Sequence, residues 1–303
     1  SFERFPEETK VLNENLQSIK RFEQKINRHV QSSKKNSSNA IGKCNEAIVY
    51  YRLLKTNPSI NQVEESAYQD MLETYSPIVQ HDILLQIIEA SIITIEKVEE
   101  YLTNKYGEYQ LQSIQLVPES YIKDRLDTTD LRVILMKNGQ YVEEGLSLKA
   151  IATKNAKITV KNPGAGQILG PSYFNIGTLT PLIDELKEQF KSGQKDHRQC
   201  LEMISATFGK AVGEAQLNKL QKGLAAILGK PTRVSTIYKQ NDCRILEYSK
   251  VTGNIQVHQQ TPSTIQTTFI GNEGELELSL RVKFSAGQSK GWSSVKFVGE
   301  LGV

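Results

Sequence analysis

Three cysteines, Cys44, Cys200 and Cys243, stand far apart in 303 residues, too few and too scattered for a disulfide framework. No Cys-x-x-Cys pair is present either, so nothing points to a zinc knuckle. Such usage suits a reducing compartment, and a cytoplasmic protein is expected. The four histidines, His29, His81, His197 and His258, are equally dispersed. They form no His-x-x-x-His or His-Glu-x-x-His pair and no His-Asn-His cluster, which removes the common zinc-hydrolase patterns. No Gly-x-Ser-x-Gly elbow supports a serine hydrolase. The run Asn162-Pro163-Gly164-Ala165-Gly166 is too short for a phosphate-binding loop and lacks its following lysine. No apolar stretch reaches the roughly 18 residues that cross a bilayer, and no signal-peptide pattern is visible. The formal net charge is only +3, so any basic surface must be local.

What the chain does contain falls into four blocks. Residues 1–105 read as helical: Leu12, Leu16, Ile19, Phe22, Ile26 and Val30 recur at helical spacing, a polar break covers residues 32–40, and further helices are expected over 42–54, 60–75 and 78–104. Residues 106–175 read as a β core, with a strand or lead-in at 113–119, a hairpin over 130–149 and a short strand at 157–160. Residues 176–230 return to helix. Residues 231–303 read as successive strands. This order predicts one integrated α/β (α+β) domain, with a mixed sheet core flanked by helices, a helical N-terminal region and a β-rich C-terminal region.

The stretch from Asp130 to Lys149 organises the rest. Leu131, Val133 and Leu135 alternate with Arg132, Ile134 and Met136 in an apolar run suited to a buried strand. Asn138-Gly139 is a strong hairpin turn. Because side chains alternate along a strand, Ser147 and Lys149 share one face and Leu148 faces the core. The hairpin can therefore bring Asp130 near Lys149. A carboxylate that can hold Mg²⁺, with a lysine to position an attacking water, is chemistry a phosphodiester hydrolase can use. The plainer alternative is an exposed strand-end acid and a solvated lysine.

An acid heading an apolar strand, an Asn-Gly turn and a second strand ending in Ser147-Leu148-Lys149 resembles the core of the PD-(D/E)xK nucleases, in the Ser-x-Lys flavour found among type II restriction endonucleases. The resemblance covers roughly residues 42–170. Thr129 stands where the strict pattern has proline, and Ser147 occupies the acidic position. The resemblance implies a second carboxylate from a preceding helix. Glu46 in GKCNEAIVYYRLLK is the first choice, bordering a packing face of Ala47, Ile48, Tyr51 and Leu54; a surface Glu beside Lys43 is the alternative reading. Glu144 and Glu143 remain candidates, and Asp127 competes with Asp130. The resemblance also implies the Leu148 carbonyl as a metal ligand and the Ser147 hydroxyl as a holder of a water in the metal's shell.

Just past the motif, Lys154, Asn155, Lys157, Lys161 and Asn162 are candidates for contacting DNA, since Lys and Asn suit phosphates and Asn can read adenine. A solvated basic loop is the alternative. Near the C-terminus Arg281, Lys283, Lys290 and Lys296 recur around a Ser/Gly-rich loop and the only tryptophan, Trp292, which is expected to pack as core. This ending is similar to that of some restriction enzymes. The expectation is a Mg²⁺-dependent endonuclease acting on double-stranded DNA at a specific sequence, as a homodimer and without membrane association. The competing expectations are a non-catalytic DNA-binding or assembly protein, and a repair or defence nuclease without a fixed site.

Overall fold

The computed structural model describes residues 38–57, 60–62, 66–117, 127–247, 250–272, 274–286 and 291–302. The helix expected over 12–30, the end of the strand expected at 113–119, and Lys290 lie outside these residues. The fold is mixed α/β, with two sheets, a helical N-terminal region and a strand-rich C-terminal region. By contacts the chain divides into two compact units, residues 1–154 with 231–247 and residues 155–230 with 248–303.

The first unit holds α1 (Ser38–Thr56), β1 (Asn61–Gln62), α2 (Ser66–Tyr75), α3 (His81–Tyr106), β2 (Gln110–Leu116), β3 (Leu131–Lys137), β4 (Gln140–Ile151), β6 (Thr232–Ile237) and β7 (Asp242–Leu246). Its sheet runs β1-β2-β3-β4-β6-β7. β1 lies parallel to β2 and β4 parallel to β6, and the remaining pairs are antiparallel. α3 buries Ile83, Leu84, Ile87, Ala90, Thr94, Ile95, Val98 and Leu102, the three-and-four spacing of one helix face. Gly107, at φ 71°, ends it in a conformation that L-residues rarely adopt. α1 behaves otherwise: Cys44, Ala47, Ile48, Val49, Tyr50, Tyr51, Leu53 and Leu54 are all buried, so nearly its whole circumference is enclosed. In the β3–β4 hairpin, Asn138 and Gly139 take positive φ of 50° and 76°, as a type I′ turn requires.

The second unit contains β5 (Ile158–Lys161), α4 (Thr180–Lys191), α5 (His197–Gly213), α6 (Leu217–Leu228), β8 (Thr252–Thr261), β9 (Thr264–Gly271), β10 (Gly274–Phe284) and β11 (Val295–Gly302). Its sheet runs β5-β11-β10-β9-β8 and is antiparallel throughout. α5 is capped by Asp196 and Gln199, whose side chains each accept the other's backbone N–H. Phe174, Phe208 and Phe297 stack in its core at centroid spacings of 5.8 and 4.4 Å.

Two assignments from the linear reading change here. β5, grouped with the β core, pairs instead with β11 in the second sheet. β6 and β7, grouped with the C-terminal strands, belong to the first sheet. Trp292 is half-buried rather than core, packed against Phe190 and Phe284. Among the described residues no helix is long and apolar enough to cross a membrane.

Candidate active site

Pairing between β3 and β4 stops at Leu131–Leu146, but β4 continues along β6 to Ile151. The sheet forks at this point. Asp130 sits one residue beyond the last pair, and its backbone is locked on both sides: its N–H donates to the Leu146 carbonyl (2.9 Å), and its carbonyl accepts from the Val117 N–H (3.0 Å). Its side chain then takes over where the strand leaves off. Oδ2 accepts from the Leu148 N–H at 2.7 Å and from Ser147 Oγ at 3.1 Å. Lys149 Nζ lies 3.5 Å from the same oxygen. The Leu148 carbonyl leaves the strand on the edge its N–H uses, so it also faces the fork. Gly145 permits this approach, since a Cβ there would meet Thr129 Oγ1 at 2.5 Å.

Glu46 enters from α1. It is 7% exposed, and Lys43 Nζ holds its carboxylate at 2.9 Å, so the neighbour expected for a surface pair is present but the glutamate is not on the surface. Glu46 and Asp130 line one cavity of about 580 Å³, together with Lys43, Asp70, Tyr75 and Val117. Burial first, and the Asp130 carboxylate second, push the Glu46 carboxyl from 4.5 up to about 7, against the opposing pull of Lys43 and Lys149. The structure thus brings Glu46, Asp130, Ser147, Leu148 and Lys149 together.

The other acids are engaged elsewhere. Glu144 faces α3 and accepts hydrogen bonds from Tyr101, Tyr106, Lys105 and Thr232. Glu143 is exposed and pairs with Arg132 at 2.7 Å. Asp127 accepts from the Thr129 N–H at 2.9 Å, a local turn contact. Burial pushes the Cys44 and Cys243 thiols up to about 12, which removes them as nucleophiles.

Among the described residues no three His, Cys, Asp or Glu side chains form a metal cage. The donor set at the fork nevertheless fits a hard divalent cation that keeps most of its waters and takes few protein oxygens. Three carboxylates, Glu46, Asp130 and Asp70, line one partly buried cavity, where burial and then the Asp130 charge already disfavour the charged form of Glu46.

The candidate DNA contacts distribute over both units. Lys154, in the first, is exposed but paired with Asp242 at 2.8 Å. In the second, Asn155 and Asn162 are exposed, Lys161 lies 5.7 Å from the Tyr173 ring centroid, and Lys157 Nζ donates to Ser279 Oγ at 2.9 Å. Arg281 pairs with Glu300 at 3.3 Å, and Lys283 stands opposite Lys296. Lys157, just before β5, therefore reaches by its side chain the strand that carries Arg281 and Lys283, though distant from them in sequence.

The linear reading missed Asn45 and Asp70. Asn45 is fully buried, its Nδ2 donates to the Lys149 carbonyl at 3.4 Å, and its Oδ1 has no partner among the described residues. A polar residue at a position enclosed on every side was its only available signal. Asp70, on α2, carried none.

A curated relative, the type II restriction enzyme BsuRI of Bacillus subtilis, is 40% identical to the chain over 299 residues, which is 99% of the chain and 52% of the relative. The chain spans about half the length of that relative. No family model matches the sequence, and no solved structure matches the fold.

Proposed function

We propose that the chain is a metal-dependent endodeoxyribonuclease of the type II restriction class, hydrolysing double-stranded DNA at a specific sequence with Mg²⁺ at the sheet fork. One observation carries the reading: the Asp130 carboxylate, fixed at the fork by Leu148 N–H and Ser147 Oγ, faces Lys149 at 3.5 Å and shares a cavity with the buried Glu46. The similarity to a type II restriction enzyme along almost the whole chain supports it.

Asp130, Glu46 and the Leu148 carbonyl would hold the cation. Bound there, it would polarise a phosphate oxygen and acidify a water. Lys149 orients the attacking water and offsets the charge growing on the phosphate. Ser147 orients Asp130 through its hydroxyl, a role different from the water-holding one expected. Lys157, Lys161, Asn155, Asn162, Arg281 and Lys283 contact DNA in this reading, and Lys154 contributes less because Asp242 already neutralises it. A homodimer matches the two-fold symmetry of a duplex target, and a cytoplasmic location matches its reduced cysteines.

The test is plasmid digestion with Mg²⁺ or with EDTA, by wild type, Asp130→Ala and Lys149→Ala. Discrete fragments are expected only with the metal and only from wild type. Metal-dependent cleavage that survives both substitutions overturns the assignment. Retarded but intact DNA would mark a non-catalytic binder, and fragments without defined ends a nuclease lacking a fixed site.

A further inference from the structure

In β10 the residues Leu276, Leu278, Leu280 and Val282 are buried, and they alternate with Glu277, Ser279, Arg281 and Lys283. The register carries this second set across the sheet: Ser279 lies opposite Gln266, which lies opposite His258, and Lys283 lies opposite Lys296. One face of the second unit's sheet is thus mostly polar, with Val298 and Ile270 as its apolar members and Ser279 and Gln266 buried at its centre, and the other face is mostly apolar.

Two features of the polar face have no account in the stability of the fold. The first is a same-sign cluster. Like charges directly opposite on paired strands are destabilising, yet Lys283 and Lys296 are paired and Arg281 is next on the same face. Burial, then Lys296 and Arg281, lower the Lys283 pKa. Glu300 pairs with Arg281 and also pulls the Lys283 pKa back up, while Glu275 and Glu277 lie toward the opposite end of β10, where Glu277 shares a row with Thr268 and Gln256. The second feature is β8. Among the described residues it is the sheet's edge, paired only with β9, and it exposes Gln256, His258 and Gln260. Gln260 is also oriented: Lys157 Nζ donates to Ser279 Oγ, and Ser279 Oγ donates to Gln260 Oε1 at 3.3 Å. With its oxygen accepting, Gln260 offers the donor end of its amide to a ligand.

We propose that the edge strand β8 reads base edges in the major groove of duplex DNA through Gln256, His258 and Gln260, with Arg281, Lys283 and Lys296 anchoring the phosphate backbone alongside. β8 is the outermost strand of its sheet, and strands of a sheet can present side chains to a DNA groove; Arg281, Lys283 and Lys296 outnumber the one acid beside them, Glu300, and so complement the backbone. This deepens the nuclease reading and rests on it only for the choice of DNA as the target.

The experiment selects bound duplexes from a pool with a randomised centre, in EDTA so that nothing is cut. The proteins are wild type, a Gln256→Ala/His258→Ala/Gln260→Ala variant and a Lys283→Ala/Lys296→Ala variant, all checked for unchanged melting. Wild type is expected to enrich one site. The triple variant is expected to keep its affinity for random duplex within about 3-fold and to lose about 10-fold or more of its preference at one or more base pairs. The lysine variant is expected to weaken binding to every sequence and to flatten its salt dependence. A triple variant with wild-type preference overturns the proposal, as does a wild type that enriches no sequence. If wild type selects a site but fails to cut it with Mg²⁺, the nuclease reading fails while the reading surface stands.

Discussion

Glu46 and Glu144 are almost equally buried, at 7% and 6% exposed, and belong to the same unit. Their surroundings are opposite. Around Glu144 the structure gathers four donors, Tyr101, Tyr106, Lys105 and Thr232, taken from α3 and β6. Lys105 reaches on to Glu247 at 2.6 Å, so the charge is answered on both sides. Around Glu46 there is one hydrogen-bonding lysine, Lys43, with Lys149 acting only through its charge, and the same cavity holds the carboxylates of Asp130 and Asp70. A buried acid with its donors satisfied ties elements together. A buried acid set against another acid destabilises its own charged form until a cation arrives. On the proposed function this difference marks Glu144 as the structural carboxylate and Glu46 as the functional one, although burial alone ranks them together.

Removing each charge in turn and measuring DNA cleavage with Mg²⁺ sets the two glutamates furthest apart. Glu46→Gln is expected to lower the cleavage rate by about 10³-fold or more, since a ligand for the cation that stabilises the transition state is lost. Glu144→Gln is expected to stay within about 10-fold of wild type wherever it remains folded. Equal losses, or the reverse order, would transfer the site assignment to Glu144.

Stability should rank the two residues the other way. Glu144→Ala leaves Tyr106 and part of Lys105 without their acceptor, and leaves Tyr101 and Thr232 only each other as acceptors, which costs about 3–4 kcal/mol. Denaturant unfolding of Glu144→Ala and Glu46→Ala side by side measures it. Glu46→Ala is expected to lose less, because repulsion from Asp130 disappears with the carboxylate. A Glu46→Ala variant less stable than Glu144→Ala would contradict the distinction.

How far the sequence disclosed these arrangements depends on how local each one is. The hairpin was legible because Asn138-Gly139 and the alternation of Leu131, Val133 and Leu135 are short-range signals, and the nearness of Asp130 to Lys149 follows from them; the fork itself needs the β4–β6 pairing, which they do not show. Glu144 was correctly turned away from Ser147 and Lys149 by strand parity alone. Glu46 rested on a resemblance, because a helix enclosed on nearly every side has no polar stripe to mark which residue faces a site. Sheet membership was hidden for a different reason. The chain leaves the first sheet after Ile151 and returns to it at Thr232, alongside β4. Strand-forming residues at 158–161 and 232–237 look alike locally, and only the long-range pairing decides which sheet each joins. The polar face of β8 was overlooked because its glutamines are unremarkable one at a time; the register that groups them is a tertiary fact.

The smallest expected effect is also the most specific to Glu46. Its folded-state carboxyl is pushed up to about 7 from the usual 4.5. Between those values the folded protein holds a proton that the unfolded chain has released, so metal-free stability must fall as pH rises through that window. The fall is on the order of 2–3 kcal/mol, taking about 1.4 kcal/mol per pH unit. Thermal unfolding in EDTA from pH 5 to pH 8 reads it directly. Glu46→Gln, which cannot ionise, should remove most of the slope, and Glu144→Gln should leave it in place. Adding Mg²⁺ at pH 8 should then raise the melting temperature of wild type and of Glu144→Gln, because a cation that binds only the folded state adds stability by mass action. It should do little for Glu46→Gln. A slope that survives in Glu46→Gln would place the titrating group elsewhere and remove the electrostatic half of the contrast between the two glutamates.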